Sequence, residues 1–285
     1  MDLVRSPWAI LPVCLVTGAM VLSGCGSTPA AKKSGSHSQE ASSNFNLVTK
    51  NVLTVCSDIS YPPMEFYPPN NPGAAEGADV DLAAALAKEM NLKSSTMKET
   101  AFGSIIPALQ AGRCDIIMSS MNDTPLRAKK VAFVDYMTAS EGILVNKGSS
   151  IHANNYSALC GKSVAVENGT TELAGLDQAN KSCSTKIDIH GYPADTDAFQ
   201  AFAAGHTQAY TTDLPVVSNY LKKYPSKYQK AGTAISAGQN YGIAVSKSNS
   251  TLKKALTSAL HKLMSNGQYK KILDKWGVGD ASLKS

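Results

Sequence analysis

The sequence predicts an α/β protein of two lobes, each a mainly parallel sheet flanked by helices, joined by a two-strand hinge. Three observations lead there. Short apolar runs alternate with amphipathic helical stretches over residues 52–131. A second alternating unit spans 162–223, after which the chain returns through 242–277. A chain that leaves one unit, builds another and comes back crosses the junction twice, which makes a hinge and leaves a cleft. Open α/β sheets bind ligands outside their strand C-termini, so those of both units are expected to face that cleft.

In chain order, 52–56 reads as a strand followed by a loop to Pro63. Residues 78–90 read as an amphipathic helix with Val80, Ala83, Leu86, Ala87 and Met90 on one face. A short helix at 105–111 and an apolar strand at 115–119 follow, the latter fit for burial on both faces. Thr124 is a good N-cap and Pro125 suits the first helical position of a helix over 125–131. The extended segment 142–145 leads to the second unit, with strands at 163–166, 187–189 and 208–211. Its helices open at 169–172 and span 195–204 and 214–223. The strand 242–245 and helices over 250–265 and 268–275 close the chain.

Arg127 falls in the first turn of its helix, where a cation opposes the helix dipole. It is either a solvated surface residue or part of an anion site, where amides and a guanidinium grip one carboxylate or phosphate.

The first 25 residues read as an address. Arg5 precedes an apolar run over 8–22 that is too short to span a bilayer. The run ends in Leu22-Ser23-Gly24-Cys25, which resembles a bacterial lipoprotein signal. Cleavage would remove 1–24 and leave Cys25 as a lipidated N-terminus, anchored at a membrane's outer face. Residues 27–43 are rich in Ser, Ala, Lys and Gly and read as a flexible tether. No later segment is long and apolar enough to cross a membrane.

Net charge is +5, with basic residues spread thinly and no arginine-rich run, so nucleic acid is not an expected partner. Of the 6 cysteines, Cys14 leaves with the leader and Cys25 takes the lipid, leaving Cys56, Cys114, Cys160 and Cys183. Outside the cytoplasm these suggest disulfides. Cys160 and Cys183 flank one strand–helix segment and are the favoured pair. Cys56 and Cys114 fall on two predicted strands; as parallel neighbours their Cα atoms would be too far apart to bridge, and that pairing stays open. No Cys/His spacing supports a metal site, and no cofactor is expected.

The ordered set of motifs resembles the polar amino acid-binding family of ABC importer solute-binding lipoproteins, bacterial extracellular solute-binding proteins of family 3. The matching stretches run from Val55-Cys56-Ser57-Asp58-Ile59-Ser60-Tyr61-Pro62-Pro63-Met64-Glu65-Phe66 through Gly77-Ala78-Asp79-Val80-Asp81-Leu82-Ala83 and the segment 105–136. They continue with Gly161-Lys162-Ser163-Val164-Ala165-Val166, Gly169-Thr170-Thr171-Glu172, Thr212-Asp213-Leu214-Pro215-Val216, Tyr241-Gly242-Ile243-Ala244-Val245 and Lys275-Trp276-Gly277.

The resemblance implies a two-lobed periplasmic-binding-protein-like fold. The expected division is a leader over 1–24, a tether over 25–45, a discontinuous lobe over 46–139 with 240–285, and a second lobe over 140–239. It implies a substrate-binding component that captures a polar or basic amino acid in the cleft. The ligand is then handed to an ABC permease with its ATPase subunits. A lipid-anchored monomer at the outer face of the cytoplasmic membrane is expected.

By position, Arg127 would hold the ligand's α-carboxylate, helped by Thr171. Asp213 would accept from the ammonium, supported by Ser120 and by Asn122 through its side-chain oxygen. Tyr61 and Phe102 would flank the side chain and Asp58 would sit near its far end. Glu65, Glu167 and Asp123 are weaker candidates for lining the pocket. Without the resemblance, Asp213 reads as a helix cap before Leu214-Pro215.

The alternatives are an enzyme on the same scaffold, such as a cyclohexadienyl dehydratase-like lyase, and a ligand sensor. The sequence holds no GxSxG, HExxH or phosphate loop, and its 5 histidines are scattered (37, 152, 190, 206 and 261), so no catalytic residue is assigned.

Overall fold

The structure, a computed structural model, describes residues 45–283, with backbone only for 236–239. Its elements are β1 (Val52–Ser57), β2 (Ser60–Tyr61), β3 (Glu65–Phe66), α1 (Ala78–Glu89), β4 (Ser94–Glu99), α2 (Ile105–Gln110), β5 (Ile116–Ile117), α3 (Pro125–Ala128) and β6 (Ala132–Asn146). They continue with β7 (Ser163–Glu167), α4 (Thr171–Asn180), β8 (Asp188–Tyr192), α5 (Asp195–Ala203), β9 (Ala209–Asp213), α6 (Leu214–Lys223), β10 (Tyr228–Lys230), β11 (Ile235–Val245), α7 (Ser250–Ser265) and α8 (Gln268–Lys275).

Among the described residues one curled sheet runs in the order β4-β1-β5-β11-β6-β9-β7-β8, with β10 also on β6. Parallel pairs lie at its two ends: β1 with β4 and β5, and β7 with β8 and β9. Between them, β6 and β11 run antiparallel through both lobes, and their ladder slips between Ser236 and Asn240. The two crossing strands are the hinge. The segment 142–145, expected as a short extended piece, is the end of one 15-residue strand, β6.

Period-2 alternation places side chains on opposite faces of each lobe's sheet. Leu53, Val55 and Ile116 pack into the large core with α1, α7 and α8, whereas Cys56 and Ile117 face α2. In the second lobe Ala165 and Tyr210 meet α5 and α6, while Val164, Val166 and Ala209 meet α4. Residues 43–285 form one compact unit, and among the described residues its core is made of three apolar clusters. Phe45, the last residue of the expected tether, is already core, being 6% exposed. Cys25 and the leader lie outside the described residues.

Cys160 and Cys183 are bonded, with Cα atoms 5.5 Å apart. Cys56 and Cys114 are also bonded, at 5.6 Å, which corrects the expectation that they stand too far apart. Cys114 is not in a strand. It sits in the turn after α2, beyond the left-handed Gly112, before the chain joins β1 at Asp115. It is therefore free of the ladder register that would have separated the two residues.

Candidate functional site

Residues at the strand C-termini converge between the lobes. Asp58 follows β1, Ser119, Ser120 and Asn122 follow β5, Glu167 ends β7 and Asp213 ends β9. With Tyr61, Glu65, Phe102, Thr170 and Glu172 they line a narrow cavity.

The lobes meet across it. Tyr61 donates its hydroxyl to Asp213 Oδ2 at 2.8 Å, and the Tyr61 Oη accepts in turn from Thr212 Oγ1 at 2.9 Å and Asp213 N at 3.1 Å. Asp213 stands at the start of α6 without capping it through its side chain. Its carboxylate turns to Tyr61 instead, which decides against the helix-cap reading. Asp195 N donates to Ser60 Oγ at 3.1 Å on the same rim. Gly169, at φ 84°, comes so close to the other lobe that a Cβ there would lie 2.9 Å from Gly103 Cα.

Arg127 bridges the lobes. Its Nη1 donates to Asn122 O at 2.9 Å and its Nη2 to Gly169 O at 3.1 Å, with the guanidinium carbon 5.2 Å from the Phe102 ring centre. Its helix α3 is a single turn capped by Thr124, shorter than the expected 125–131, so the guanidinium rather than a helix dipole provides the positive charge. Burial lowers its pKa, and Glu172, Asp213 and Glu141 oppose that shift. Arg127 and Thr171 stand immediately behind the lining residues rather than among them. Thr171 Oγ1 donates to Asn122 Oδ1 at 3.2 Å.

That last bond occupies the Asn122 side-chain oxygen expected to support the ammonium. With its oxygen taken by Thr171, the amide leaves buried Nδ2, which has no hydrogen-bond partner, as its free group. An N–H donor suits a carboxylate and not an ammonium.

At the other end, Asp58 Oδ2 accepts from Phe102 N at 2.9 Å, and Ser119 Oγ accepts from Asp58 N while donating to Glu65 Oε1 at 3.0 Å. Ser120 holds a left-handed backbone, φ 44°, and donates its N–H to Asp79 Oδ2 at 2.9 Å. That strained residue sits at the cavity wall, where such conformations gather in binding sites. Asp123 does not reach the cavity; it lines a separate groove with Asp135 and His261.

Asp58, Glu65, Glu167, Glu172 and Asp213 give the lining its acidic character. Burial raises all of them above the usual carboxylate range, Asp213 to about 7, and neighbouring carboxylates push Glu65, Glu167 and Glu172 further up. A cation placed among them would bring them back down. Glu172 was not singled out from the sequence, because an acid in the first turn of α4 reads as a partner of the helix dipole. Among the described residues no His/Cys/Asp/Glu cluster could hold a metal ion, and no helix is long and apolar enough to cross a membrane.

Fold and cleft together define a two-lobed solute-binding architecture. Bacterial extracellular solute-binding proteins, family 3, match residues 53–279, and the chain belongs to that family. It is 30% identical over 239 residues to ABC transporter arginine-binding protein 1 of Escherichia coli K12, spanning 83% of this chain and 95% of that one. It is 32% identical over 207 residues to the ABC transporter glutamine-binding protein GlnH of Bacillus subtilis 168, spanning 72% and 73%. Among solved structures it resembles an ancestral arginine-binding protein bound to arginine, with a TM-score of 0.74 and 33% identity over 80% of this chain and 99% of that one. These relatives are binding proteins rather than enzymes.

Proposed function

We propose that this chain is the substrate-binding component of an ABC importer that captures a basic amino acid between its lobes and delivers it to a permease with its ATPase subunits. The observation that carries the reading is a cavity between the lobes with five carboxyl groups in its lining and one guanidinium behind it that bridges the lobes.

The pose follows from charge. Arg127 has five N–H donors, of which two are used, and it meets the ligand carboxylate with Thr171 and the free Asn122 amide. Asp213 takes the α-ammonium, with Ser120 beside it. The side chain runs between Tyr61 and Phe102 toward Asp58, with Glu65 and Glu167 nearby. Burying both charges of a zwitterion costs several kcal/mol per ion unless each is paired, so partners contributed by both lobes favour the closed state. The arginine-binding relatives support this ligand class.

The chain is divided as a leader over 1–24, a tether from 25 up to the buried Phe45, one lobe over 45–139 with 240–285, and the other over 140–239. Cys25 carries lipid and holds a monomer at the outer face of the cytoplasmic membrane. Two disulfides suit that oxidising location. Thermal-shift screening against the twenty amino acids tests the ligand, since a ligand at 100 times its Kd adds about 2.7 kcal/mol of stability. Arginine or lysine giving the largest shift is expected, and a flat response across all twenty would overturn the reading.

A further inference from the structure

Away from the cleft, the β6–β11 ladder ends at the pair Val245 and Ala132. Lys129 and Lys130 immediately precede that end of β6, and Lys247 follows that end of β11. Lys247 Nζ donates to Lys129 O at 3.0 Å, which ties the two segments together. Asn249 follows and does two things: its Oδ1 accepts from Leu252 N at 3.1 Å, capping α7, and its Nδ2 donates to Phe45 O at 2.8 Å. Lys253 and Lys254, in the next turn, line one open groove with Ser250, Thr257, Ser258 and His261.

The first turn of α7 holds no acidic residue, although a helix start favours acids. No Asp or Glu occurs between Val245 and Asp274, and none between Thr124 and Phe133. Asp123 and Asp135, in the adjoining groove beyond Thr257 and His261, mark the edge of the basic face. Lys129, Lys130, Lys247 and Lys254 are exposed and Lys253 is half-exposed, and none of the five is in an ion pair among the described residues.

The same place is where the chain enters the folded body. Phe45, the first described residue, is buried and accepts from Asn249, so the described chain starts beside these lysines. We infer that this lysine face, Lys129, Lys130, Lys247, Lys253 and Lys254, docks on the anionic headgroups of the membrane to which the tether leads. The inference rests on the lipid-anchor reading of Cys25. A tether of about twenty residues keeps its root near the bilayer, and a polybasic face at that root gains about fivefold in affinity per lysine at an anionic surface.

The test uses residues 43–285, the compact unit, once a cooperative melting transition shows that it is folded, and sedimentation with phosphatidylcholine vesicles with and without about a third phosphatidylglycerol. Binding to the mixed vesicles alone is expected, with loss in high salt, where screening acts within a few ångströms. Replacing the five lysines by glutamine should lower binding at least a hundredfold. The control Lys222→Gln with Lys223→Gln, on α6 of the other lobe, should leave it unchanged. Equal binding to both vesicle types, no binding to either, or equal loss in the control would overturn the proposal. The mass of the mature N-terminal peptide reads the anchor separately. Vesicle binding with an unacylated Cys25 supports the face and removes the anchor, and an acylated Cys25 without vesicle binding removes the face alone.

Discussion

Tyr61 Oη donates to Asp213 Oδ2 at 2.8 Å, joining two residues 152 apart in sequence and on opposite sides of the cleft. One hydroxyl thereby aims the carboxylate proposed to take the ligand's ammonium, and it is held in turn by Thr212 and by the backbone of Asp213. Lobe closure and ligand recognition share this contact.

Tyr61→Phe removes it while keeping the ring. A hydrogen bond to a charged group contributes about 1.5–3 kcal/mol, so the Kd for the preferred amino acid should rise between about tenfold and a hundredfold in calorimetric titration. An unchanged Kd would show that Asp213 does not depend on Tyr61.

The pH response has a defined sign. Burial raises Asp79 to about 6 and both Asp195 and Asp213 to about 7, against about 3.9 for an unfolded aspartate. The folded state therefore holds more protons than the unfolded state between about pH 4 and 7, and ligand-free stability falls as pH rises through that window. Tm without ligand should be higher near pH 5 than near pH 8. Affinity for a cationic ligand should move the other way, because the carboxyls must ionise to pair with it. A rise in ligand-free Tm over the same window would contradict the burial of these acids.

Gly169→Ala sets a Cβ against Gly103 Cα at a residue with φ 84°. An L side chain at such a backbone costs more than about 1 kcal/mol, and the clash exists only when the lobes are together. Ligand affinity should fall at least fivefold, whereas far-ultraviolet circular dichroism should stay unchanged. Full affinity in this variant would mean that the lobes do not close on the ligand as they do here.

The two disulfides close loops of 58 and 23 residues. Chain entropy gives about 4 kcal/mol for the longer and about 3 kcal/mol for the shorter. Paired serine substitution at Cys56 and Cys114 should lower the denaturation midpoint more than the same change at Cys160 and Cys183. The reverse order would point to strain or residual structure outweighing loop length.

How much of this was legible varies by residue. The helices α6, α7 and α8 carry amphipathic stripes and clear starts, and their limits agree with the sequence reading. The edge strand β4 went unread because Ser-Ser-Thr-Met-Lys-Glu offers too little apolar alternation for a half-exposed strand. Only 142–145 of β6 was read as extended, because the stretch before it, Thr138 to Glu141, is polar where it crosses the hinge. Asp58, Tyr61, Phe102, Ser120, Asn122 and Asp213 come together at the cavity as the motif order suggested. The orientation of the Asn122 amide, the inward turn of Glu172 and the Cys56–Cys114 bond were not legible. Each depends on a contact with a residue far away in the chain.

The most direct test is a calorimetric titration of L-arginine, lysine and glutamine into the wild type, Arg127→Ala and Asp58→Asn. The account predicts that Arg127→Ala abolishes binding of all three, because it removes the partner of a carboxylate they share. Asp58→Asn should weaken arginine and lysine far more than glutamine. Undiminished binding in Arg127→Ala, or equal losses for the three ligands in Asp58→Asn, would contradict the assignment of one end of the cavity to the carboxylate and the other to a cationic side chain.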